Sequence, residues 1–114
     1  MSPHSIFMFE FIKSLFNLYP EFGGVPRSSL WGKCRREHWS RNPTCAVCDT
    51  KKEIEVHHIQ PYHLFPSKEL DPHNLLSLCA AHHIFIGHLM SWHSYNKDVV
   101  ADSKAWREKI RTRP

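Results

Sequence analysis

A chain of 114 residues has room for one modest domain, and a domain this small often adds a metal or disulfides to its limited core. Its formal charge of +4, with histidines neutral, mildly favours a polyanionic partner over an acidic protein surface. The apolar run at residues 6–18 is broken by Glu10 and Lys13 and too short for a bilayer. It also lacks the basic lead and small-residue cleavage site of a secretory signal, so no transmembrane segment and a reducing, cytoplasmic setting are expected. In such a setting the four cysteines serve a metal rather than disulfides.

Residues 1–26 contain the aromatic-rich FMFEFIKSLFNLY and end in a Pro/Gly segment. Apolar positions lie on almost every side of a helical wheel. This N-terminal hydrophobic extension therefore reads either as a helix packed on the domain or as a segment that contacts a membrane surface or a protein partner. The second unit, residues 27–114, opens with a helix over 27–43, capped by Ser28 or Ser29 and stopped at Asn42-Pro43. Leu30, Trp31, Cys34 and His38 fall near helical spacing, while Arg27, Lys33, Arg35, Arg36 and Arg41 make a basic face. That face is either simply solvated or phosphate-contacting.

KEIEVHHI, with β-branched residues in partial alternation, reads as a strand. Residues 61–73, rich in proline, serine and aspartate, read as a long loop, and residues 74–78 as a second short strand or extended segment. A helix is expected over 80–92 with Gly87 as its weak point. After a turn at 95–98 comes a terminal helix capped by Asp102 and anchored by Trp106 and Ile110.

Two ligand pairs of equal internal spacing, Cys45-x-x-Cys48 and Cys79-x-x-His82, stand on either side of the strand–loop–strand segment. Zinc favours four tetrahedral thiolate and imidazole donors, and a two-residue gap lets both side chains of a pair converge from one tight turn. A lone Cys79 would read as a small buried hydrophobe, but two matched pairs point to a closed, structural Zn²⁺. The separation of the pairs rules out a C₂H₂ finger, and the H-x-E with P-C-x-x-C signature of zinc deaminases is absent.

Six of the ten histidines fall between His57 and His83. Imidazole serves both as metal ligand and as general base near neutral pH. Neighbouring side chains of a strand point to opposite faces, so one member of the doublet His57-His58 can bind an ion while the other addresses substrate. His83 and His88 lie on the segment tied to the same zinc, whereas His4, His38, His63, His73 and His93 have no such bracket and are left unassigned.

CAVC, EVHHIQP, DPHNLLSLCAAHH and the following GH together resemble the HNH endonuclease pattern, with zinc knuckles around a ββα-metal site. The resemblance covers roughly residues 27–114 and is closest to short bacterial and phage HNH proteins. It extends to the basic helix before the first knuckle and to Trp92, Ser94, Tyr95 and Asn96 after the last histidine. It implies an α+β fold, a small ββα-metal core with a structural zinc site and flanking helices. It also implies that His57, His83 and, with less definition, His88 hold a catalytic divalent cation (Mg²⁺, Mn²⁺, Ni²⁺ or Zn²⁺). His58 would be the general base, and Asn74 would hold the loop and orient that base through backbone hydrogen bonds. The zinc position at His82, where many members carry cysteine, is a departure, and the adjacent His82 and His83 could exchange roles.

The expected activity is DNA phosphodiester hydrolysis leaving a 5′ phosphate and a 3′ hydroxyl. Lys33, Arg35, Arg36, Arg41, Arg107, Lys109 and Arg111 would neutralise neighbouring phosphates with little sequence specificity. The competing expectation is a zinc-stabilised nucleic-acid-binding module without chemistry. It accounts for the knuckles and basic helices but not for the joint occurrence of the histidine doublet, Asn74 and His83.

Overall fold

The computed structural model describes residues 27–114, so the readings of residues 1–26 lie outside the described residues. Its elements run α1 (Trp31–Arg41), β1 (Ile54–His58), β2 (Leu75–Cys79), α2 (Ala80–His82) continuing directly as a π-helical turn (His83–Gly87), and α3 (Val99–Thr112). The loop between the strands contains two single 3₁₀ turns, Pro66–Lys68 and Pro72–Asn74. This is a small α+β fold with a two-stranded antiparallel sheet, consistent with a ββα-metal architecture.

The strands pair from Ile54 opposite Cys79 to His58 opposite Leu75. Side chains alternate across a strand, so Glu55 and His57 share one face of β1, while Ile54, Val56 and His58 share the other. Leu78, Val47, Val99 and Cys45 are the largest fully buried side chains, joined by Ile86 and Cys79. Two of these six core residues are cysteines. An apolar centre this small leaves much of the cohesion to whatever joins those thiols.

Several boundaries depart from the sequence expectations. Helix α1 begins at Trp31, and neither serine caps it by accepting from the first helical turn. Ser28 instead shapes the preceding turn: its hydroxyl accepts from the Leu30 N–H and its carbonyl from the Trp31 N–H. The second strand starts at Leu75, because Asn74 closes a 3₁₀ turn in which Asp71 accepts from the His73 N–H.

The helix expected over 80–92 stops at Gly87. A Cβ there would lie 3.1 Å from His83 and 3.2 Å from His57, so the position stays glycine to let the imidazoles approach. The chain then reverses through Leu89 and Met90, both at positive φ, and the Met90 N–H donates to the Ile84 carbonyl at 2.8 Å. This closure spans seven residues, one more than the six of a Schellman motif, and ends the helical segment.

Helix α3 starts at Val99, three residues before the expected cap. Asp102 is inside its first turn, where it accepts from Asn96 Nδ2 at 2.9 Å. Val99 and Ser103 are the buried residues of α3, and Ile110 packs against the core. Trp106, expected as an anchor, stays 41% exposed beside Phe85, with Lys109 Nζ over its ring.

Candidate metal centres and the His58 pocket

The first cluster forms where the Cys45-x-x-Cys48 turn meets the junction of β2 and α2. The Ala46 N–H donates to the Ser77 carbonyl, and the Ala80 N–H to the Glu53 carbonyl, which fastens the knuckle and the start of α2 to the sheet. Cys79 Sγ lies 3.3 Å from His82 Nδ1, Cys45 Sγ 3.7 Å from the same nitrogen, and Cys48 Sγ 4.0 Å from Cys79 Sγ. Zn–S bonds of about 2.3 Å would put tetrahedral thiolates about 3.7 Å apart, and the Cys48–Cys79 separation of 4.0 Å is close to that value.

Burial, with the neighbouring Cys45 charge, pushes the Cys79 thiol up to about 11. Burial also raises Cys45, but hydrogen bonds led by Cys79 and Cys48 outweigh it and bring the thiol below its ordinary value. Packed thiols cannot ionise together without a cation among them, and a bound zinc ion reverses that logic by deprotonating its ligands outright. The set Cys45, Cys48, Cys79 and His82 can hold such an ion.

The second cluster is built entirely of imidazoles. His83 Nε2 lies 3.1 Å from His57 Nδ1 and 3.2 Å from His88 Nε2. The outer nitrogens of two rings are already committed: His83 Nδ1 is 3.0 Å from Glu55 Oε1, and His88 Nδ1 is 3.1 Å from the Ser94 carbonyl. Both partners accept, so each Nδ1 carries the proton and each Nε2 turns a bare lone pair toward the other. Facing lone pairs repel, and the arrangement suits a cation at their centre. Outer-shell acceptors that fix the tautomer are the usual support of a metal-binding histidine.

Burial, then the nearby His83, His88 and His58, lowers His57 to about 3, and burial with His83 lowers His88. Both rings are thus kept in the neutral form that a metal requires. Trp92 packs edge-on against His83 and tilted over His88, and Asn96 donates to the Ile86 carbonyl, tying the π turn to the loop before α3.

His58 points to the other face of β1. Its ring lies under Trp31, with centroids 4.4 Å apart, and its Nε2 is 2.8 Å from the Glu69 carbonyl. That carbonyl fixes the proton on Nε2 and leaves the Nδ1 lone pair free. Burial lowers the His58 pKa against a raising effect of the Glu69 hydrogen bond.

Asn74 secures this loop. Its Oδ1 accepts from the Gln60 N–H at 2.8 Å, and its Nδ2 donates to the Gln60 and Lys68 carbonyls at 2.9 and 3.0 Å. The Lys68 carbonyl immediately precedes Glu69, so one buried amide sets the backbone that orients His58.

The structure therefore brings His57, His83 and His88 together, separates His82 from His83 into different clusters, and keeps His58 outside the imidazole trio. Sequence reasoning missed Glu69, Tyr62 and the outer-shell role of Glu55. Glu69 is buried, accepts from the Ser28 N–H and pairs with Arg27 at 3.7 Å, while the Arg27 guanidinium lies over Tyr62 and Trp31. No short-range pattern announces these contacts across the chain. Glu55, two residues before His57 on the same strand face, could have been found by alternation.

Among the expected phosphate contacts, Arg107 is held 2.6 Å from Asp49, beside the first knuckle, and Lys33 pairs with Glu37 at 3.9 Å. Arg35, Arg36, Arg41, Lys109 and Arg111 have no ion-pair partner among the described residues.

Antiparallel strands, a helical turn and convergent histidines define a small metal-finger class of site. Residues 45–84, the segment carrying the first cluster, both strands and His83, match the family model described as HNH endonuclease. Neither the curated proteins nor the solved structures yield a match to the chain.

Proposed function

We propose that this protein is a metal-dependent endonuclease that hydrolyses phosphodiester bonds in DNA. The observation that carries the reading is the pair of bare imidazole nitrogens, His83 Nε2 and His88 Nε2, aimed at each other 3.2 Å apart while their outer nitrogens are spent on Glu55 and Ser94. His57 completes the donor set, and imidazole donors favour a transition ion over Mg²⁺. A divalent ion bound there would act as Lewis acid and template, neutralising charge on the phosphate and the departing oxygen.

His58 acts as general base. Its neutral ring, with Nε2–H donated to the Glu69 carbonyl, accepts the proton of the attacking water at Nδ1. Asn74 holds the carbonyl segment that fixes this tautomer. Cys45, Cys48, Cys79 and His82 would hold a structural zinc, and four protein donors would leave that ion no part in the reaction. The basic residues of α1 and α3 neutralise flanking phosphates; Arg107, paired with Asp49, serves the scaffold first.

A zinc-stabilised binding module without chemistry is the rival, and one observation favours it: His58 is only 9% exposed beneath Trp31. Plasmid nicking under Mg²⁺, Mn²⁺, Ni²⁺ and Zn²⁺ separates the two. Wild type is expected to nick, and His58→Ala to lose cleavage while keeping one tightly held zinc. Wild type that leaves supercoiled DNA intact under all four ions favours the binding module; nicking retained by the variant removes His58 from the base role.

A further inference from the structure

Helix α1 crosses β1 on the face that carries His58. Trp31, Arg35 and Trp39 recur every four residues and so share one side of the helix. Beneath them, His58, Val56 and Ile54 alternate along one side of the strand. The two rows run in opposite directions. Trp31 covers His58, and one to two helical turns further on Arg35, Arg36 and Trp39 line a shallow groove of about 220 Å³ with Val56 and Ile54.

The groove thus has an apolar floor, one indole wall that is 51% exposed, and two guanidinium groups with no carboxylate partner among the described residues. Arg36 folds back along the helix until its Nη1 would lie 3.2 Å from a Cβ at Gly32, which carries one cation toward the His58 end. Its volume falls below the roughly 300–1,000 Å³ of pockets that enclose a small ligand. Flat π surface together with unpaired cations is the chemistry that holds single-stranded nucleic acid, in which bases stack on aromatic rings while the backbone follows positive charge.

We propose that this groove is a subsite for one unpaired nucleotide of the strand being cut, its base stacked on Trp39 and its phosphates on Arg35 and Arg36. The eight steps from Trp31 to Trp39 rise ~12 Å along a helix. A strand stacked at ~3.4 Å per nucleotide covers that distance in three to four steps. The subsite therefore prefers DNA that is single-stranded or frayed a few nucleotides from the scissile bond. It rests on the reading of His58 as a base acting on nucleic acid, and it adds a substrate preference to that reading.

Fluorescence anisotropy with a dye-labelled single-stranded 12-mer of thymidine and a duplex of equal length tests it, using the full chain without added divalent ion. Trp39→Ala is expected to weaken single-strand binding about tenfold while changing duplex binding much less, and Trp39→Phe to restore most of the loss. The double change Arg35→Gln and Arg36→Gln is expected to flatten the salt dependence by roughly two phosphate contacts. Thermal melts of each variant establish that it is folded.

Equal weakening of single strand and duplex by Trp39→Ala, or no weakening of either, overturns the subsite. Plasmid nicking measured alongside keeps the two ideas apart. Wild type that nicks with Trp39-independent binding overturns the subsite alone, while Trp39-dependent single-strand binding without nicking supports the subsite and overturns the nuclease reading.

Discussion

The two ligand clusters lie on consecutive residues, His82 and His83, yet they are built on opposite principles. In the first, the three thiols join or pack against the apolar core and one half-buried imidazole meets them: Cys45 is wholly buried and Cys79 nearly so. In the second, three imidazoles meet at the edge of the sheet, with each outer nitrogen of His83 and His88 steadied by an acceptor. Four protein donors close a coordination sphere, whereas three leave positions for water and phosphate. The contrast teaches that one residue step along a helical turn is enough to divide a thiol-rich cluster set in the core from an imidazole cluster at the sheet edge.

The largest expected effect comes from breaking the first cluster. Cys79→Ser should release zinc and unfold the described domain, since structural zinc contributes on the order of 10 kcal/mol to such folds; circular dichroism with metal analysis reads both. His83→Ala should do the reverse. The variant should melt within a few degrees of wild type, yet its plasmid nicking should fall by about a hundredfold or more, because the cation proposed to stabilise the transition state would lose its central ligand.

Asn74→Ala sharpens the comparison from between the clusters. It strips partners from the Gln60 N–H and from the Gln60 and Lys68 carbonyls, and should lower stability by about 2 kcal/mol in urea melts. Nicking should fall as well, as the carbonyl that fixes the His58 tautomer loosens. The smallest effect is expected from Glu55→Ala. Removing the acceptor of His83 Nδ1–H should weaken metal binding at the second cluster about tenfold, read by titration calorimetry, with the structural zinc untouched.

Much of this was legible in the chain because the first cluster is made of two local pairs. Cys45 with Cys48, and Cys79 with His82, are each close enough in sequence for spacing to predict convergence. The doublet His57-His58 announced a strand that sends one imidazole to each face, and the two rings do meet different surroundings. The turn at Gly87 was less legible: Ile84, Phe85 and Ile86 continue a helical apolar pattern, and only the approach of His57 from another element forbids a side chain there.

The start of α3 was hidden for a related reason. Val99 and Val100 are weak helix formers, and Asp102 looks like a cap until Asn96 is seen to take its carboxylate. Glu69 and Tyr62 escaped altogether, since their roles exist only once the long loop folds back on α1.

Native mass spectrometry of the zinc-loaded protein tests the division of labour most directly. Wild type should carry two ions and His83→Ala one, with the fold of the variant intact. A single ion in wild type, or loss of every ion in His83→Ala, would contradict it.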